Sequence, residues 1–304
     1  MSYYIGIDLG GTFVKAGVVD ENYQIVAKAM VDSADAAGNP ELVADRMAQC
    51  ANEALAKAGL TMDDVSSVGV GTPGSVDPAT GTIVYANNLQ FRNTPLRKYM
   101  EERIGKKIYV ENDANVAAYG EALAGGAKGY SDVIVVTLGT GVGGGAILDG
   151  RPYREIRRPG SEFGHMITHA GGEPCPCGER GCYERYASSA ALVRRAKGYK
   201  NAKEIVDAVQ RNDPAILPIW ESYIEEVCVG LVSLMAIFYP EVISIGGGIS
   251  ASGDFLLNAI LKGLSHHEGY RKYYSHIRIR LADFGNDAGV LGAAAAACRK
   301  LEKE

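Results

Sequence analysis

The run Ile134-Val135-Val136-Thr137-Leu138-Gly139-Thr140-Gly141-Val142 repeats the character of Ile5-Gly6-Ile7-Asp8-Leu9-Gly10-Gly11-Thr12-Phe13. Each copy has an apolar stretch, a turn of glycines and hydroxyls, and a second apolar stretch, the pattern of a strand, a tight turn and a returning strand. A repeat of this kind predicts two related lobes, each with its own core. The length agrees, because 304 residues are long for one compact core.

Other elements follow from local signals. Asn39 can cap and Pro40 can start a helix with an apolar stripe of Val43, Met47, Cys50, Ala51, Ala54 and Leu55. Val65 to Val70 and Lys107 to Val110 read as strands that run into the polar turns Gly71-Thr72-Pro73-Gly74 and Glu111-Asn112-Asp113-Ala114-Asn115. Ligands gather at such strand ends in α/β proteins. Ile216, Trp220, Ile224, Val227, Leu231, Leu234 and Phe238 recur at helical spacing, and Val242 to Ile245 enters a glycine turn, Gly246-Gly247-Gly248. From Ala288 the chain is rich in alanine, with Gly289 and Gly292, which predicts a helix packed closely on another element.

The formal charge of -5 comes without a basic stretch, which argues against nucleic acid or an anionic membrane as partner and for a small ligand. The uncharged run from Val227 to Pro240 is too short to span a bilayer, and no basic leader precedes Tyr3 to Ile7, so a cytoplasmic protein is expected. Of six cysteines, Cys50, Cys228 and Cys298 have helix-like apolar surroundings, whereas Cys175, Cys177 and Cys182 crowd among prolines and glycines. That crowding fits a metal knuckle better than disulfides, and both His165 and His169 are spaced to supply a fourth ligand.

Asp8, Gly10, Gly11 and Thr12, followed by Lys15, combine an acid for a hydrated Mg²⁺ with backbone amides open to phosphate oxygens. Thr137, Gly139, Thr140 and Gly141 offer amides and hydroxyls of the same kind, and two such turns suit a polyphosphate. Asp113, where a strand gives way to a helix, reads equally as a general base and as a helix cap.

Together, Ile5 to Thr12, Gly71 to Gly74, Glu111 to Asp113, Leu138 to Gly145, Glu162-Phe163-Gly164-His165 and Cys175-Pro176-Cys177-Gly178 with Gly181-Cys182-Tyr183-Glu184 resemble the ROK family of sugar kinases and sugar-responsive repressors, in the actin-like ATPase superfamily. The resemblance covers nearly the whole chain. It implies an α/β, two-lobed actin-like (ribonuclease H-like) fold with a duplicated βββαβαβα core and a ligand cleft between the lobes. Residues 1–111 would form the small lobe, with helix 289–304 packed back on it, and 112–288 the large lobe, with a knuckle at 165–182.

The resemblance further implies that Asp113 is the catalytic base and that Gly74, Asn88, Asn112, Glu162, His165 and Glu184 hold sugar hydroxyls. Gly247 and Gly248 would lie on the adenosine side of ATP. The family pattern favours His165 over His169 as the fourth ligand of a structural Zn²⁺ with Cys175, Cys177 and Cys182. Glucose is the expected substrate, because Val110 to Ala117 and Thr137 to Gly145 look most like bacterial glucokinases. N-acetylmannosamine, N-acetylglucosamine, allose, mannose or fructose is the alternative, and relatives are commonly homodimers or homotetramers. A sugar-sensing repressor would carry a winged helix ahead of the first hairpin, which here starts at about residue 5. An actin-like chaperone or scaffold ATPase has no need of the knuckle.

Overall fold

The opening alternation folds into a hairpin in which β1 (Tyr3–Leu9) runs antiparallel to β2 (Phe13–Asp20), with Asp8 opposite Lys15. The structure, a computed structural model, describes residues 2–153, 162–283 and 285–302. The hairpin continues into β3 (Ile25–Asp32), and β4 (Val65–Thr72) and β8 (Ile108–Asn112) add in parallel on the other side, giving the order β3-β2-β1-β4-β8. Three short strands, β5 (Ser75–Asp77), β6 (Thr82–Ala86) and β7 (Phe91–Thr94), form a separate sheet between β4 and helix α2 (Leu96–Ile104).

Helix α1 (Pro40–Ala58) begins where Asn39 Oδ1 accepts from the Leu42 amide at 3.2 Å and ends at Gly59 in the left-handed region. Its predicted stripe, Val43, Met47, Cys50, Ala51, Ala54 and Leu55, is buried. Each fully buried larger apolar side chain of this kind contributes about 1.5–3 kcal/mol. Helices α3 (Asp113–Ala124) and α9 (Ala288–Glu302) also pack in this unit, and α9 lies directly on β1 and β4. The approach is so close that a β-carbon on Gly69 would stand 1.9 Å from the Ala293 carbonyl oxygen, so only glycine fits there.

The second half repeats this order. Strands β9 (Val133–Leu138), β10 (Val142–Leu148), β11 (Arg151–Pro152), β12 (Val242–Gly246) and β13 (Arg278–Leu281) form a sheet ordered β11-β10-β9-β12-β13. As in the first sheet, the leading three strands are antiparallel neighbours and the last two add in parallel. The sequence repeat is therefore a repeat of topology. Helices α4 (Glu184–Ala187), α5 (Ser189–Arg195) and α6 (Ala202–Gln210) follow the cysteine loop, and α7 (Leu217–Phe238) and α8 (Asp254–Leu264) bury Trp220, Tyr223, Leu231, Ile260 and Leu264 in the second core.

By internal contacts the chain divides into Met1–Ala124 with Asn286–Glu304, and Gly125–Gly285. Helix α3, assigned to the second lobe from the sequence, thus groups with the first. The reason is its seam with α9: a β-carbon on Gly292 would fall 1.5 Å from the Val116 carbonyl oxygen. The last two residues of the expected helix 289–304 lie outside the described residues. Among the described residues no helix is long and apolar enough to cross a membrane.

Candidate functional site

In the first unit, β8 ends at Asn112 and α3 starts at Asp113. Asn112 Oδ1 accepts from the amides of Ala114 at 3.0 Å and Asn115 at 3.2 Å, so Asn112 is the side chain that caps the helix. Its Nδ2 donates to the Gly74 carbonyl and to Asp113 Oδ1, both at 3.0 Å. Asp113 Oδ1 also accepts from the Ala114 amide at 2.8 Å. These contacts fix the direction of the Asp113 carboxylate at the positive end of a helix. Gly74, Asn112 and Asp113 thus form one hydrogen-bonded group. Asn88 is exposed on the turn between β6 and β7, and among the described hydrogen bonds none joins it to that group.

The β1–β2 turn closes with the Gly10 amide donating to the Phe13 carbonyl at 2.9 Å, Gly11 has no neighbouring atom where a β-carbon would stand, and Thr12 is exposed. Open amides and a hydroxyl are what an anion needs. Burial pushes the Asp8 carboxyl up to about 6, Lys15 across the hairpin opposes this, and the Asp113 charge adds to it. A half-buried acid near a second acid is a favourable place for a hydrated divalent cation, so Asp8 fits Mg²⁺ held through water.

In the second unit, the β9–β10 turn is drawn tight by the Gly139 amide donating to the Gly141 carbonyl at 2.9 Å, with Thr137 half-buried and Thr140 exposed. Gly247 lies against the end of β9, at φ +90° and with room for no β-carbon beside the Leu138 carbonyl. Beside Gly248 a pocket of about 360 Å³ is lined by Lys203, Val206, Asp207, Gln210, Ile249 and Ser252 among others.

The ligand atoms of His165, Cys175, Cys177 and Cys182 all lie within 4.8 Å of one another. Cys175 Sγ is 3.8 Å from His165 Nδ1, and Cys177 Sγ is 3.6 Å from Cys182 Sγ. A tetrahedral ion with Zn–S bonds of about 2.3 Å has ligand–ligand edges of roughly 3.8 Å, so a structural zinc fits this cluster. None of the six cysteines is in a disulfide. Without a cation, burial pushes the Cys175 thiol up to about 12, while the Glu179 amide holds Cys177 below its usual value. His169, the competing histidine, instead stacks on Tyr186 at 4.0 Å, with its Nε2 3.6 Å from Glu226.

Glu162 and His165 are exposed and bracket the turn at Phe163–His165, which sits on β10 through Gly164. With Cys175 as a thiol, Glu184 Oε1 accepts from its Sγ at 3.4 Å, which places this carboxylate beside the cluster. Sequence reasoning gave no supporting role to Tyr183 or Ser189, and it saw the close packing of Gly289 without its partner. Tyr183, wholly buried, donates its hydroxyl to the Val227 carbonyl on α7 at 2.9 Å. Ser189 donates to the Gly139 carbonyl, and Gly289 lies against Asp8. For Ser189 the visible signal was the serine pair Ser188-Ser189 before an apolar run, and it reads as an ordinary helix start.

The ROK family model matches residues 4–300. A glucokinase of Streptomyces coelicolor is 35% identical over 97% of each chain. Among solved structures, a ROK hexokinase from Thermus thermophilus is similar with a TM-score of 0.83 at 33% identity, covering 99% of this chain and 100% of its own. A ROK family glucokinase from Streptomyces griseus, in complex with glucose and AMPPNP, gives 0.81 at 34% identity over 98% and 100%. With the repeated strand order, these likenesses show the two-lobed, actin-like α/β fold.

Proposed function

The chain belongs to the ROK family, and on that premise we propose that it is an ATP-dependent hexose kinase whose preferred substrate is glucose. The observation that carries this reading is the Asn112 amide, which donates to both the Gly74 carbonyl and the Asp113 carboxylate and so fixes a carbonyl acceptor and an oriented acid side by side. Asp113 accepts the proton of the attacking sugar hydroxyl, a contribution of roughly 10²–10⁴ in rate. Asn112, the Gly74 backbone, Glu162 and Glu184 hold the other hydroxyls, and Asn88 approaches them from its loop. His165, engaging the knuckle through one ring nitrogen, offers the other to the sugar.

Gly10 and Gly139 close their turns with their own amides, which leaves the Gly11 and Thr12 amides and the Thr12 hydroxyl, with Lys15 supplying positive charge, as phosphate contacts of the first turn, and the Gly141 amide with the Thr137 and Thr140 hydroxyls as those of the second. Gly247, Gly248 and the pocket beside them take the adenosine end. Mg²⁺, held through water by Asp8, would neutralise charge on the transferring phosphoryl group. Zinc on His165, Cys175, Cys177 and Cys182 would be structural, because four protein ligands leave no open position.

ADP formation with MgATP, measured against glucose, mannose, allose, fructose, N-acetylglucosamine and N-acetylmannosamine, tests the reading. Preference for glucose supports it in full, preference for another hexose keeps the kinase and changes its substrate, and no turnover with any sugar overturns it.

A further inference from the structure

One short segment, residues 182–189, carries a metal ligand, a carboxylate and a grip on the second glycine turn. Cys182 belongs to the cysteine–histidine cluster. Glu184 accepts from Cys175 Sγ through Oε1, and its Oε2 lies where a β-carbon on Gly141 would come within 2.6 Å, so this carboxylate rests against the turn itself. Ser188 then caps α5, its Oγ accepting from the Ala191 amide at 3.0 Å.

Ser189 reaches back. Its amide donates to the Gly139 carbonyl at 2.9 Å, and its Oγ donates to the same oxygen at 2.6 Å. The amide grip exists with any residue but proline at 189; the hydroxyl grip needs serine or threonine. Both hold the carbonyl of a glycine in a turn with few side chains to restrain it, and the orientation of that peptide plane sets where the next amides point.

We propose that Ser189 is a positioning residue that locks the Gly139–Gly141 turn to the segment carrying Glu184, so that a hexose seated on Glu184 preorganises the turn for the nucleotide. The inference rests on the kinase reading given above. Sugar hydroxyls bound to Glu184 hold the carboxylate against Gly141, Ser189 holds Gly139, and the turn is restrained from both sides. Hexose and nucleotide then bind with positive coupling, which is reciprocal by thermodynamic necessity. Ser189 touches neither ligand in this scheme.

The test is calorimetric titration of the zinc-loaded full-length protein with Mg²⁺ and AMPPNP, with and without saturating glucose, alongside steady-state kinetics. In the parent protein glucose should tighten AMPPNP by about 5-fold or more. In Ser189→Ala that coupling should fall to near one and the KM for MgATP should rise severalfold, while the KM for glucose and the Tm change little; Ser189→Thr should restore the coupling. Unchanged coupling and MgATP KM in Ser189→Ala, or no coupling in the parent protein, overturns the inference while leaving a sugar-dependent kinase intact. A parent protein that neither binds AMPPNP nor turns over any hexose removes the kinase reading itself, and this inference with it.

Discussion

Gly289, in the first turn of α9, lies against the carboxylate of Asp8: a β-carbon built on it would stand 2.8 Å from Asp8 Cγ and 3.0 Å from both carboxylate oxygens. The C-terminal helix therefore limits where the acid at the end of β1 can point. Alanine at 289 should gain about 1 kcal/mol in helix propensity and lose about 1–3 kcal/mol to crowding. Stability should change modestly while the acid is displaced. For Gly289→Ala, kcat/KM for MgATP should drop at least tenfold with a Tm near that of the parent; unchanged MgATP kinetics would show that the contact does not orient Asp8.

Asp8 also sets a pH dependence. Burial raises its carboxyl from 3.8 to about 6, against the opposing effect of Lys15 and with a smaller push from Asp113. Between about pH 4 and pH 6 the folded protein keeps a proton that the unfolded chain has released, so this group's contribution to stability falls as pH rises through that window. Above it the penalty is complete, about 3 kcal/mol at most. Asp8→Asn should therefore raise the Tm of the nucleotide-free protein at pH 8, leave it nearly unchanged at pH 4, and abolish MgATP-dependent turnover. Thermal melts at the two pH values check the stability half, and equal shifts at both would refute it.

The cysteine–histidine cluster and the carboxylate proposed to hold sugar meet where Cys175 Sγ contacts Glu184 at 3.4 Å. Chelation, or Cys177→Ser, should release the knuckle and with it Glu184 and His165. Hexose affinity should fall by tenfold or more, ahead of AMPPNP affinity, and the Tm should drop. Metal analysis of the purified protein comes first: one zinc per chain is expected, and a zinc-free protein with normal sugar affinity would sink the structural role.

What was legible in the sequence was local or repeated. The two hairpins, the Asn39 cap of α1 and the cysteine spacing each depend on residues close together in the chain, and the structure keeps them. Asp113 was legible as an acid at a strand–helix junction, but the bridging amide of Asn112 joins it to Gly74, far back in the chain, and no spacing announces that. The close packing of α9 was visible in Gly289 and Gly292, yet their partners, Asp8 and Val116, were not. Small residues were the hardest class: a glycine in a helix looks like a propensity cost until the atom occupying its missing side chain is known.

Gly230 on α7 is such a position, and it bears on the proposed sugar site through a neighbour. A β-carbon there would come within 2.1 Å of the Tyr183 ring, whose hydroxyl is bonded to the Val227 carbonyl one turn earlier. The ring is wholly buried in this notch, and the next residue is Glu184. Tyr183→Phe keeps the fit and loses one hydrogen bond, so it should cost about 1 kcal/mol of stability with little change in the KM for hexose. Gly230→Ala fills the notch and must push the ring out, carrying Glu184 with it. It should raise the KM for hexose at least tenfold, more than it raises that for MgATP, despite alanine's better helix propensity. Comparing the two variants separates the hydroxyl from the seat: equal hexose KM values in both would mean that Glu184 is held by the knuckle alone.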